Sequence, residues 1–416
     1  MAVFKPFCAL RPAEDYAALV ADLPYDVVSA DEVRRTIQEN PHSFLTVDRA
    51  EATMPPDTDP YSDAVYTQAA QNLACLEQDG CLVQDEQPCF YIYKQTLGAR
   101  SQTGIAGCAS IDAYLNGQIK RHELTRAEKE QDRIRHIEAC GADTGPIFLT
   151  YRQNHALDML TSMWMSEHHP LYEFEKYDVH NTIWRVDDAQ TVEKISGYFA
   201  AIDSLYIADG HHRCASAVHV GQKLRAENPG YTGQEAFNYF LCVAFAHNEL
   251  EIMDYNRVVR DLNGLEADAF LQKVGERFSI SERTGGPFKS YKPFKRHTFG
   301  MYLDKKWYEL EARPEFIDES DPVESLDVSI LQNNLLAPVL GIEDPRRDAR
   351  IDFVGGVRGM VELERRTAKD MRVAFSLFPV SVEELMAIAD AGRIMPPKST
   401  WFEPKLLSGL FVYKLD

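Results

Sequence analysis

The chain is poor in positive charge. Its 416 residues hold 44 Lys+Arg against 64 Asp+Glu, a formal net charge of −20. DNA and RNA demand a net basic face, so this balance argues against a nucleic-acid partner. It leaves room for a small anionic ligand in a locally basic pocket. Long apolar runs are also lacking: each is broken by charge or proline before it reaches the length of a membrane span, so no membrane partner is expected. The first ten residues carry Lys5 and Pro6 and no apolar core of signal-peptide length, so a cytoplasmic location is expected. The eight cysteines form no C-x-x-C pair and keep no regular spacing. They read as buried small hydrophobes in a reducing compartment rather than as a disulfide framework. Fixed-period repeats and low-complexity tracts are absent as well.

What remains is an ordinary globular composition, 45% hydrophobic and 26% charged, which excludes wholesale disorder. The length suggests two or three domains. Helix and strand signals alternate throughout, so the expected class is mixed α/β. Ser29 and Glu32 form a capping-box pattern opening a helix to about residue 40. Residues 61–76 show helical spacing of Val65, Ala69, Leu73 and Leu76, with Gly80 beyond the end. Runs 88–94 and 103–113 suit an antiparallel pair of strands. Thr125 and Glu128 suggest a second capping box, with a helix ending near Gly141. A strand at 147–151, a helix at 155–167, strand pieces near 172–174 and 182–186, and a helix capped by Asp187 or Asp188 follow. The last third predicts strands near 239–247, 297–303, 306–310 and 410–413, helices near 326–336 and 382–391, and a basic loop over 283–295.

The strongest local signal is a short apolar strand, 204–208, running into Asp209-Gly210-His211-His212-Arg213 and then a helix. Glycine at the turn lets a ligand approach the backbone. The helix start presents unpaired N–H groups and the positive end of its dipole, which suits a phosphate. Arg213 adds a forked donor for phosphate oxygens, and His211 and His212 add further donors. Asp209 could orient a histidine, cap the helix or hold a metal ion. The same residues could also merely finish a tight strand–helix turn.

A second signal is Arg121-His122-Glu123-Leu124-Thr125, where Glu123 just before a helix could act as general base toward a hydroxyl. Glutamate near a helix start is equally favoured by the dipole alone. No H-E-x-x-H is present, and a structural zinc site at His211, His212 and His219 is not expected. Lys398-Ser399-Thr400 fails as a P-loop, because Pro396-Pro397 cannot supply N–H donors. Lys398 and Lys405 could reach a ligand from a loop, or lie on the surface.

At these residues a resemblance enters. Pro24-Tyr25-Asp26-Val27-Val28, Asn40-Pro41-His42-Ser43-Phe44, Arg121 to Thr125, Ile207 to Arg213 and Asn256-Arg257-Val258 resemble the full-length DUF1015 proteins. So do Arg350 to Gly356 and Met395 to Phe402, so the likeness spans nearly the whole chain. The central part resembles the ParB/sulfiredoxin-like fold and, within it, the free serine kinases that make O-phosphoserine. The resemblance implies three regions: an N-terminal α/β region at 1–115, a ParB/sulfiredoxin-like nucleotide-binding core at 116–225 and a C-terminal α/β region at 226–416. It implies an enzyme that phosphorylates a free hydroxyl amino acid, L-serine first, from ATP or ADP with Mg2+. Glu123 would activate the hydroxyl, with His122 and Asp209 beside it. Gly210, His211, His212, Arg213 and Lys398 would bind the nucleotide, with Asp209 as the metal ligand. Tyr25, Asp26, Asn40, His42 and Asn256 would close over the site.

One departure stands out: about fifty residues, 151–204, separate the Pro-Ile strand from the phosphate turn, where the short kinases have only a few. The alternative is a non-catalytic nucleotide-binding switch. A redox role would need Cys214, the only cysteine beside the turn. A homodimer is left open.

The charge is unevenly spread. Residues 1–100 hold 7 Lys+Arg against 16 Asp+Glu, whereas 116–140 hold 6 against 5. The His122-Glu123 segment thus escapes the acidic excess.

Overall fold

The computed structural model describes residues 3–283 and 290–416. It has two compact units: residues 1–250 with 404–416, and residues 251–403. Both are built of helices and sheets, as the mixed α/β reading expects.

The first unit is organised on a nine-stranded mixed sheet. From one edge the order is Ile119–Lys120, Leu205–Asp209, Ile147–Tyr151, Tyr239–Ala246, Arg100–Ser110, Phe90–Leu97, Val179–Val186 and Tyr172–Lys176. Phe4–Lys5 pairs beside Arg100–Ser110. Tyr239–Ala246 is buried along its whole length, which explains its unbroken apolar run. Glycine at 107 is a packing requirement: a Cβ there would meet the Phe4 ring at 2.6 Å. Pairing of Arg100–Ser110 with Tyr239–Ala246 joins the expected 1–115 and 226–416 regions within one sheet. Neighbours in a sheet need not be neighbours in sequence, so the expected boundaries at 115 and 225 fall inside this unit. The tail also returns to it, with Val412 bridging Leu10 and Tyr413–Lys414 pairing with Ala142–Asp143.

Residues 152–204 have a definite place. They form the helices His155–Glu167 and Ala189–Ala200 and the hairpin Tyr172–Lys176/Val179–Val186. That hairpin pairs with Phe90–Leu97 and makes the sheet edge opposite Leu205–Asp209. The long insertion therefore widens the sheet and does not lie between the two strands that carry the motifs.

Local signals mostly match. Both halves of the Ser29/Glu32 capping box form, and Asp188 caps Ala189–Ala200. The Thr125/Glu128 box does not: Ala127–Cys140 is preceded by Arg126, and Thr125 Oγ1 donates to Glu130 instead.

The second unit is a six-stranded antiparallel sheet, ordered Phe278–Glu282, Lys306–Ala312, Thr298–Leu303, Val373–Leu377, Tyr255–Val259 and Ile351–Gly355. Part of the expected 283–295 loop, residues 284–289, lies outside the described residues. The expected helix at 326–336 is a short α-helix, Asp327–Leu331, continued by the π-helical turn Gln332–Leu336. Among the described residues, no helix is long and apolar enough to cross a membrane. All eight cysteines are free thiols.

Candidate functional site

The two motifs meet because of strand direction. Ile119–Lys120 runs parallel to Leu205–Asp209, with Ile119 opposite Leu205 and Lys120 opposite Tyr206. Parallel neighbours release the chain at the same edge, where ligands of α/β sheets gather. The loop carrying His122 and Glu123 and the turn carrying Asp209 and Gly210 therefore emerge side by side.

The turn is built for close approach. Gly210 adopts φ +91°, a left-handed conformation that a side chain resists. A Cβ there would meet the Arg213 guanidinium at 3.2 Å. His211–Glu227 starts immediately after it with no side-chain cap, so its first N–H groups remain donors for an anion. Arg213 donates to the Pro146 carbonyl, which ties the turn to the start of Ile147–Tyr151.

Histidines hold the two motifs together. His212 Nε2 accepts the Arg126 N–H at 3.0 Å, and His211 Nε2 faces the His122 N–H at 3.5 Å. His211 Nδ1 lies 3.8 Å from a Glu123 oxygen. The His122 and His211 rings pack edge to face, with centroids 4.5 Å apart. Burial pushes both imidazoles down, His122 to about 4, and also lowers His212, where Lys129 adds to the effect. Burial thus favours the neutral form of all three rings, and His211 and His212 face backbone N–H groups in that form. Glu123 is half exposed, so its carboxylate reaches solvent.

Positive charge at the turn comes from Arg213 and from Lys405. Lys405 Nζ lies 2.9 Å from Asp209 Oδ2, and Asp209 Oδ1 accepts the Gly210 N–H at 2.8 Å. Burial alone would raise the Asp209 carboxyl; Lys405 and Arg213 outweigh it and hold it well below the usual range. As an expected metal ligand, Asp209 is already paired with an ammonium. Lys398 belongs to the second unit, where its ammonium lies over the Tyr255 ring at 5.5 Å and its carbonyl accepts from Arg257. Asn256 lies in the same unit, buried beside Asp254. Cys214 is fully buried and its thiol is pushed up by burial, which disfavours redox chemistry there.

A cavity of about 360 Å³, within the range of small-ligand sites, adjoins this region. Tyr25, Asp26, Arg126, Lys129, Asp132 and Arg133 line part of it. The Arg133 guanidinium stacks on the Tyr25 ring at 4.1 Å and pairs with Asp132 at 2.8 Å. Tyr25 and Arg133 also line a smaller cavity of about 30 Å³ that Arg213 borders. Sequence reasoning named Tyr25 and Asp26 and passed over Arg133. The available signal was the spacing of Arg126, Lys129 and Arg133 along one helix.

The family model described as a protein of unknown function, DUF1015, matches residues 4–329. This chain belongs to the DUF1015 family. No curated protein matches this DUF1015 chain. Among solved structures it is similar to a free serine kinase variant in complex with AMP, at 13% identity and TM-score 0.35, over 70% of this chain and 85% of that one. It is similar to a conserved hypothetical protein from Pyrococcus furiosus, at 13% identity and TM-score 0.35, over 76% and 97% of the two chains. SbnI with a C-terminal truncation, from Staphylococcus aureus, is similar at 11% identity and TM-score 0.37, over 73% and 85%.

Proposed function

We propose that this DUF1015 protein is a small-molecule kinase that transfers a phosphoryl group from ATP or ADP to the hydroxyl of a free amino acid, L-serine first. The observation that carries this reading is the pairing of a solvent-reaching carboxylate with an uncapped helix start. Glu123 lies 3.8 Å from His211, the first residue of a helix whose turn also carries Gly210 and Arg213. A hydroxyl acceptor needs a base, and a transferring phosphoryl group needs donors fixed where charge accumulates.

In the proposed step the hydroxyl proton goes to Glu123 as the oxygen–phosphorus bond forms. The bond from that phosphorus to the nucleotide's bridging oxygen breaks, and ADP or AMP leaves with the electron pair. Arg213, Lys405 and the helix N–H groups offset phosphate charge. His212 positions the Glu123 loop through the Arg126 N–H, and His122 packs behind His211. The 360 Å³ cavity offers both signs of charge for a zwitterionic acceptor or a nucleoside. Asp209, already neutralised by Lys405, does not suit a protein-held Mg2+. The nucleotide-dependent chemistry suits the cytoplasmic location expected from the sequence.

A second reading, a nucleotide-binding switch, rests on the Lys405–Asp209 pair. It ties the C-terminal tail to the phosphate turn, so phosphate arriving there competes for Lys405. The test is incubation with ATP or ADP, Mg2+ and L-serine. Phosphoserine formation that is lost in Glu123→Gln supports the kinase. Nucleotide binding with no product from a panel of hydroxyl amino acids overturns it in favour of the switch.

A further inference from the structure

The proposed transfer leaves one feature unused. His122 is 2% exposed, and neither ring nitrogen has a hydrogen-bond partner. The backbone of Ile207 lies close enough to favour its charged form slightly, yet makes no bond of good geometry. A buried polar group left unpaired is costly, so it calls for an explanation.

The explanation lies in its neighbours. A ring nitrogen of His122, one of His211 and a Glu123 carboxylate oxygen all lie within 4.8 Å of one another. The two rings are at 85°, so they converge from different directions. His211 Nδ1 and Glu123 Oε2 are 3.8 Å apart. A tetrahedral ion with bonds of about 2.0–2.1 Å holds its ligand atoms about 3.3 Å apart. Glu123, half exposed on its loop, can move to close that difference. An ion on His211 Nδ1 would place the ring proton on Nε2 and give up the 3.5 Å contact with the His122 N–H, which is already at the limit of hydrogen bonding.

Two imidazoles and one carboxylate are a donor set for first-row transition ions. They are a poor set for Mg2+, which prefers oxygen ligands and keeps its waters. The open side at Glu123 leaves room for water in a further coordination position.

We infer that His122, Glu123 and His211 bind one divalent transition ion of the Zn2+ and Co2+ class. Binding itself does not depend on the proposed kinase activity; its consequence rests on that reading. A Glu123 oxygen bound to an ion cannot take the hydroxyl proton, so occupancy and transfer exclude each other. The ion is then a brake that Mg2+ does not apply.

The test uses the full chain, freed of metal by chelator and dialysed, with no nucleotide or serine present. Titration with Co2+ should give the visible ligand-field bands of a four- or five-coordinate ion, saturating at one equivalent. Zn2+ should abolish the bands, and excess Mg2+ should leave them. Glu123→Gln, which alters a half-exposed side chain, and His122→Gln should each weaken Co2+ binding at least tenfold. Absence of the bands at one equivalent, or a Glu123→Gln protein that binds Co2+ as the parent does, overturns the site. Because the readout needs no turnover, a chain without kinase activity can pass this test and an active kinase can fail it.

Discussion

Lys405 Nζ lies 2.9 Å from the Asp209 carboxylate, although 196 residues separate them in the chain. The ammonium is largely buried, whereas the carboxylate is about a third exposed. The pair neutralises an anion at the one turn where a phosphate is expected.

Replacing Lys405 by Met should therefore weaken nucleotide binding about three- to tenfold, because Asp209 would then face the phosphates uncompensated. Lys405→Met combined with Asp209→Asn should recover part of that loss. Isothermal titration of the parent, both single variants and the double variant with ADP at fixed salt measures the coupling. Additive losses would remove the pair from the binding site.

Glu123→Gln should lower phosphoryl transfer about 10²- to 10⁴-fold, the usual contribution of a positioned base. Nucleotide affinity and thermal unfolding should stay near those of the parent, since the side chain is half exposed. Single-turnover assays with serine beside ADP titrations separate the two effects. A parallel loss of affinity would place Glu123 in nucleotide binding instead.

Gly210→Ala puts a Cβ at 3.2 Å from the Arg213 guanidinium in a left-handed backbone. The expected cost to folding is about 1 kcal/mol. Nucleotide binding should fall further than stability does, because Arg213 is displaced. Urea unfolding and nucleotide titration on one preparation check both.

His136 Nε2 donates to the Val47 carbonyl, 3.1 Å away, and the ring is buried. Burial first, and then Arg133, push it down to about 4, while Asp48 and Asp132 oppose the shift. An unfolded histidine titrates near 6.5, so between that pH and about 4 the unfolded chain binds the extra proton. Stability from this group is thus intact above pH 6.5 and falls by roughly 3 kcal/mol as the pH drops to 4. Asp143, raised by burial to about 7, acts oppositely: its contribution is present at acid pH and is lost as the pH rises toward 7. His136→Gln should flatten the acid-side slope by about one proton, with the Asp143 effect cancelling in the difference. Urea midpoints of parent and variant at pH 7.5 and 5 decide it; equal slopes would mean that His136 is charged in the fold.

Much of the local structure was legible. The strand Ile147–Tyr151 and the helix His155–Glu167 have the bounds that their apolar content suggested. The strands Tyr255–Val259 and Val373–Leu377 were missed; each is five buried residues, too short for periodicity to separate strand from helix. At Thr125 the hydroxyl donates to Glu130 in place of a capping box, and the adjacent Arg126 N–H is taken by His212 of a different element.

The residue types of the site were determined by sequence alone: a carboxylate before one helix, and Gly, His, His and Arg at the start of another. Their meeting was not. It depends on Ile119–Lys120 lying parallel to Leu205–Asp209, a pairing set by backbone hydrogen bonds between segments more than eighty residues apart. The same holds for Lys405, whose partner is chosen by where the tail returns, and for His122, whose unpaired nitrogens exist only because its ring is enclosed. Local composition specifies what chemistry is available, and burial decides which of those groups are charged, paired or left to bind something else.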